Sequence, residues 1–325
     1  MTPTTLDEQL TKYLTDAHSI EHQALAQMTA APDIAGDPSL AAIFSAHLTE
    51  TQQHESLIRS RLEERGASPA ILKDLAGTAT GKAFVLFARS QPDTPGKLVT
   101  HGYSYEHMEL AAYDLLARVA EQAGDAATAQ AARRIREQEE AMAERLAQSF
   151  DRAVEASLRE HPRDDRDEQL NKYLTDAHAI EGQSIQLLEK APQLAGSPEL
   201  AAAYEDHLAE TRRHQQLIDE RLQARGSSSS KLKDAALRLG ALNWGAFFAA
   251  QPDTPAKLAA FSYAVEHLEI GAYELLRRVA QKAGDAETAA TAETILTEER
   301  AAAERVHAQF ADALDASLQE QGVGA

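Results

Sequence analysis

Polar and apolar positions alternate along this chain with a helical period. From Leu6 to about Ala31, Leu10, Leu14, Ala17, Glu21, Ala24 and Met28 recur at threes and fours and line one face of an amphipathic helix. The stretch APDIAGDPS (31–39) interrupts that pattern. Asp37 then offers an N-cap with Pro38 in the first turn, and a second helix is predicted as far as RGASP (65–69). Its expected inward stripe is Leu40, Ile43, His47, Glu50, His54, Leu57 and Arg61. A short apolar helix is predicted over about 70–90. QPDTP (91–95) supplies a cap and a proline for a third long helix, with Gly102, Glu106, Glu109, Tyr113, Leu116 and Ala120 on its seam, ending at the AGD turn (123–125). A fourth helix carries Ile135, Glu139, Met142, Leu146 and Phe150 inward and runs to about Arg159.

The whole pattern then repeats. DEQLTKYLTDAHSIE from Asp7 returns as DEQLNKYLTDAHAIE from Asp167, and the same offset carries His47 onto His207, QPDTP onto a second QPDTP at Gln251, and Glu139 onto Glu299 without a gap. A repeat this long is a domain rather than a solenoid unit. The acidic stretch EHPRDDRDE (160–168) is the natural joint, so domains are expected at 1–160 and 161–325. The fold class expected is all-α: two tandem four-helix bundles, each with an extra short helix in the crossover between its second and third long helices. Two hairpins joined by one long crossover is the connectivity of ferritin-like bundles, in which the second and third helices run parallel.

Composition narrows the function. With 43% hydrophobic but only 5% aromatic residues, the core is built chiefly of alanine, leucine and isoleucine. A formal charge of -19 opposes docking on phosphate backbones or anionic membranes, so no nucleic acid partner is expected. The chain has no cysteine, which removes disulfides, thiolate zinc sites, iron-sulfur clusters and cysteine nucleophiles together. No window approaches the apolar run of a membrane span, and MTPTTLDEQL has neither a basic n-region nor an apolar h-region; a soluble cytoplasmic protein is expected.

The acids on the apolar seams raise the chemical question. Counted from the turn near residue 35, Glu21 and Glu50 lie at about the same depth, roughly 20 to 23 Å along the bundle; Glu109 and Glu139 reach that depth from the turn near 124. His54 and Glu106 fall about one turn deeper. Carboxylates that converge in a core cannot all stay ionised unless positive charge sits among them. No Lys or Arg lies on the seam at that height. A pair of divalent cations, iron or manganese by the hardness of the ligands, satisfies the group. Protonated acids paired by hydrogen bonds are the other solution.

HLTETQQH (47–54), EHMELAAY (106–113), repeated as EHLEIGAY (266–273), and the acidic pair in REQEEAMAERL from Arg136 resemble the ferritin-like stress proteins of the YciE/YciF (DUF892) family, over essentially all of both copies. The resemblance implies a rubrerythrin-like bundle with two metal ions per copy and a stress-response setting. It implies ligands at Glu21, Glu50, Glu106, Glu109 and Glu139, and at Glu181, Glu210, Glu266, Glu269 and Glu299. The Glu-x-x-His of ferritin-like sites is absent from the second helix, where Gln53 stands three after Glu50; His54 and His214 are the best imidazole candidates. His18, His47 and His107, with His178, His207 and His267, are expected to hold ligand carboxylates or simply to satisfy a neighbouring group. Tyr113 and Tyr273 are expected to pack with satisfied hydroxyls, and Trp244 and Phe247 to cover the core. Reaction with oxygen or peroxide would need an external electron donor, because the chain has no cysteines for a rubredoxin-type centre. The alternative is a non-catalytic metal-binding or structural protein whose two bundles pack together as a dimer within one chain.

Overall fold

A computed structural model of the chain describes residues 5–68, 94–159, 165–228 and 253–323. The described residues are helical with short turns and divide into two compact units, the first through Leu158 and the second Arg159–Gln321. The expected short helix at about 70–90 and its counterpart with Trp244 and Phe247 lie outside the described residues.

The first unit contains α1 (Leu6–Met28), α2 (Ala31–Ile34), α3 (Pro38–Glu64), α4 (Thr94–Gln122), α5 (Ala126–Ala147) and α6 (Phe150–Leu158). Local chemistry sets these boundaries. Thr5 and Glu8 form a reciprocal capping box at the start of α1, and Asp37 accepts from Ser39 and Leu40 at the start of α3, with Pro38 beside it. Glycine at positive φ closes the turns at Gly36, Gly66 and Gly124. The fourth predicted helix is in fact two. It breaks at Gln148 and Ser149, where the Ser149 hydroxyl donates back to the Arg145 carbonyl, a bond that competes with the helical ladder.

α1 packs on α3 and α4, and α5 packs on α3 and α4, so the four long helices close a ring. Two contacts give the direction of α3 and α4. At one end, a Cβ added to Gly36, in the turn before α3, would stand 2.7 Å from Pro95 at the start of α4. At the other, Arg61 and Arg65 at the end of α3 reach Asp125, which caps α5 just beyond α4. The two helices therefore start together and finish together, as the long crossover requires.

The second unit repeats this plan with α7 (Arg166–Leu188), a 3₁₀ turn Ala191–Leu194, α8 (Pro198–Ala224), α9 (Thr254–Ala283), α10 (Ala286–Ala308) and α11 (Phe310–Glu320). Asp253 takes the N-cap position of α9, with its carboxylate 3.3 Å from Lys257 Nζ. No described helix is long and apolar enough to cross a membrane.

The expected inward stripes of α1, α4 and α5 are buried as read. That of α3 is shifted. Its buried positions are Leu40, Phe44, His47, Thr51, His54, Glu55, Ile58 and Leu62, whereas Ile43, Glu50 and Leu57 are half-buried. Both series share Leu40, His47 and His54, and the helix settles on the one that buries Phe44, Ile58 and Leu62 completely. Thr51 joins them at little polar cost, because its hydroxyl donates to the His47 carbonyl at 3.0 Å.

Candidate metal centre

Four helices of the first unit deliver carboxylates or imidazoles to one buried layer. α1 brings Glu21, α3 brings His47 and His54, α4 brings Glu106 and Glu109, and α5 brings Glu139; each is 2% exposed or less. They form two overlapping groups, Glu21–His54–Glu139 and His47–Glu106–Glu109–Glu139, each with potential ligand atoms within 4.8 Å of one another. Glu139 belongs to both. Its Oε1 is 2.7 Å from His54 Nδ1 and its Oε2 is 3.5 Å from His47 Nε2. His54 Nδ1 also stands 3.9 Å from Glu21, and His47 Nε2 3.3 Å from Glu106.

The second unit builds the same layer from Glu181, His207, His214, Glu266, Glu269 and Glu299, again as two groups sharing one acid. Glu299 Oε1 is 2.7 Å from His214 Nδ1 and its Oε2 is 3.6 Å from His207 Nε2. His207 Nε2 approaches Glu266 to 2.8 Å.

These groups do not satisfy one another. Both oxygens of Glu106, Glu109 and Glu139 and one of Glu21 have no aligned hydrogen-bond donor, and His54 Nδ1 is equally unmatched despite its 2.7 Å approach to Glu139. In the second unit the same holds for both oxygens of Glu299, for one each of Glu181, Glu266 and Glu269, and for His214 Nδ1. Buried polar atoms normally find partners, and leaving a charged one without any costs several kcal/mol. Close approach without hydrogen-bonding alignment is the arrangement expected of lone pairs aimed at a common cation.

The electrostatics show the same unmet demand. Burial, reinforced by Glu139, pushes Glu21 up to about 8, and burial with Glu299 does so to Glu181. Burial and then Glu139 raise Glu106 and Glu109 well above the carboxylate range. Burial likewise opposes charge on Glu139, but the His54 and His47 imidazoles outweigh it and hold Glu139 below its ordinary value. Glu139 is thus the acid around which the rest are arranged.

Neighbours orient this layer. The Tyr113 hydroxyl donates to Glu21 and that of Tyr273 to Glu181. Burial and the adjacent glutamate raise both phenols well above their ordinary value, so they remain donors. The outer nitrogen of His54 meets Gln138 at 3.2 Å, while that of His214 meets the carboxylate of Glu298 at 2.6 Å. Glu269 also receives the Ser184 hydroxyl at 3.3 Å, where the first unit has Ala24.

Glu50 and Glu210, expected among the ligands, stand outside both groups. Glu50 is half-buried, accepts from Arg145 at 2.8 Å and meets His47 Nδ1 at 3.0 Å; Glu210 does the same with Arg305 and His207. The reason is the shifted seam of α3, which points Thr51 inward and leaves Glu50 at the rim. The inward place belongs to His47 and His207, each oriented by the glutamate three residues on. The shared position of His47 and His54 on one stripe was the sequence signal for this. His107 and His267 join neither group, and their Nδ1 atoms donate to the Tyr103 and Tyr263 carbonyls at 2.7 Å. His18 faces Glu55, and His178 faces Asp219.

With this geometry in hand, comparison with protein families is decisive on kinship. The family described as "Domain of unknown function (DUF892)" matches residues 5–159 and again residues 165–319. The chain belongs to the DUF892 family. Its two DUF892 copies each carry a complete His/Glu layer capable of holding metal.

Proposed function

We propose that each DUF892 bundle is a ferritin-like dinuclear metal centre that serves a redox role in stress protection. The observation that carries this reading is the shared acid: Glu139, and Glu299 in the second copy, offers one oxygen to each of two adjacent ligand groups. A carboxylate so placed is suited to bridge two ions, and two-metal sites hold their ions about 3.5 to 4 Å apart. The donor set of four carboxylates and two imidazoles suits iron or manganese.

In this reading Glu21 and His54 serve one ion, His47, Glu106 and Glu109 the other, and Glu139 both. When bound, such ions supply one-electron chemistry toward oxygen or peroxide. The protein's own part is to bring the acids together at one height, to orient Glu21 through Tyr113 and His54 through Gln138, and to keep bulk water out of a layer that is nearly unexposed. Turnover would draw electrons from an external donor, since the chain has no thiolates to build its own relay.

The test is metal content with activity. Protein purified without chelator should retain close to two ions per bundle, and ferrous protein given peroxide or oxygen with a reductant should consume it catalytically. Fewer than one ion per bundle would reject the centre; full loading without consumption would support the non-catalytic role instead.

A further inference from the structure

The first bundle has a second cluster of ligand-type side chains that its twin lacks. His18 and His22, one turn apart on α1, face Glu55 on α3. The Glu55 Oε1 atom lies 3.0 Å from His18 Nε2 and 3.9 Å from His22 Nε2, and the imidazole centroids are 5.0 Å apart. Ligand atoms about 2.0 to 2.1 Å from a tetrahedral zinc ion stand about 3.3 Å from one another, so these spacings bracket what one such ion requires. His18 and Glu55 are buried, but the His22 side chain is 37% exposed, which leaves a route for an ion and a coordination position open to water. The other oxygen of Glu55 is steadied by Arg59 at 3.3 Å, which leaves Oε1 for the histidines.

The twin bundle has lost this arrangement at three of the four corresponding positions. His22 corresponds to Gly182, Glu55 to Gln215 and Arg59 to Asp219. The retained histidine, His178, meets Asp219 at 3.3 Å, and Gln215 turns its amide onto the His178 carbonyl at 3.4 Å. The second bundle has the same long helices around a different set, so the helix plan does not demand two histidines and a glutamate here.

We infer that His18, His22 and Glu55 form a mononuclear site for a zinc-class divalent ion, with one position open to water, present in the first bundle only. Two imidazoles and one carboxylate are a donor set that zinc takes readily, and softer than the carboxylate-rich layer inside the bundle. The site shares no residue with the proposed dinuclear centre.

Zinc titration of the metal-free full chain against a competing chromophoric chelator tests it, comparing the natural sequence with Glu55→Gln and His22→Gln. Glu55→Gln introduces the residue that the twin bundle already accommodates, so it keeps the fold. The natural chain should bind one more zinc per chain than either variant. Equal stoichiometry and affinity in all three would overturn the site. Adding Glu139→Gln and Glu299→Gln separates this result from the inner layer: the extra ion should persist there and still vanish with Glu55→Gln. Its loss with the inner acids alone would also overturn the assignment.

Discussion

His54 Nδ1 lies 2.7 Å from Glu139 Oε1, and the equivalent atoms of His214 and Glu299 repeat that separation, without hydrogen-bonding alignment in either copy. This close approach marks the point where α3 and α5, and their counterparts α8 and α10, bring an imidazole and the shared carboxylate together. The opposite oxygen of the same carboxylate faces a second imidazole.

Removing that shared acid should therefore be worse than removing the rim acid. Glu139→Gln with Glu299→Gln is expected to abolish stable retention of the inner-layer ions in both bundles. Glu50→Ala with Glu210→Ala should leave the number of ions unchanged and weaken binding by about 10- to 100-fold, because these glutamates orient His47 and His207. Elemental analysis after dialysis distinguishes the two; equal losses would place Glu50 among the ligands.

The two bundles should differ in affinity. His214 is backed by the Glu298 carboxylate, itself paired with Arg213, whereas His54 is backed by the neutral amide of Gln138. Burial lowers both imidazoles, but the acids of the layer more than reverse this, Glu139 and Glu21 for His54, Glu299 and Glu181 for His214; Glu298 adds a further carboxylate to His214 alone, which reaches about 9 and is the more basic ligand. Calorimetric titration should show two affinity classes, and Glu298→Gln should bring them within about threefold of each other by weakening the tighter one about 10-fold. A single class in the natural protein would contradict this.

Without metal, the acid layer is a burden on the fold. Glu21→Gln retains an acceptor for the Tyr113 hydroxyl and removes the ionisable group, so it should raise the melting temperature of the metal-free protein by several degrees. Glu21→Leu should gain less, since the phenol loses that acceptor. Differential scanning calorimetry on chelated protein checks both, and a fall with Glu21→Gln would show that the acids support each other as a network.

The far end of each bundle predicts a pH response. Asp125 is partly buried, which opposes its charge, but Thr128 and Arg61 outweigh that and hold its carboxyl below the usual value; Arg65 adds a bond at 3.1 Å. Asp285 is lowered likewise against its burial by Thr288, Arg225 and Arg221. A carboxyl depressed in the folded state binds fewer protons than when unfolded, so its contribution is full above the unfolded value, near 3.9, and disappears as pH falls through the folded one. Asp125→Asn with Asp285→Asn should therefore lower the melting temperature at pH 6, and the gap from the natural protein should shrink steadily below pH 4. A gap independent of pH would mean that the aspartates act only as caps.

Much of this molecule was legible along the chain. The gap-free repeat is visible by alignment of the two halves, and caps such as Thr5 and Asp37, the turn glycines and the apolar stripes of α1, α4 and α5 depend on neighbours within a turn or two, so local order specifies them directly. The depth of Glu21, Glu109 and Glu139 followed from counting residues at a fixed rise, which is why their meeting was foreseeable. Two matters were decided only by tertiary packing. On α3 two apolar series overlap at His47 and His54, and only contact with the other helices chose the one that buries Phe44 and Ile58, sending Glu50 to the rim and His47 to the acids. The sharing of Glu139 between two ligand groups, and the His18–His22–Glu55 cluster between α1 and α3, depend on which side chains of different helices face each other at one height. Periodicity along a single helix cannot specify that, because a helix's rotation about its own axis is set by what it packs against.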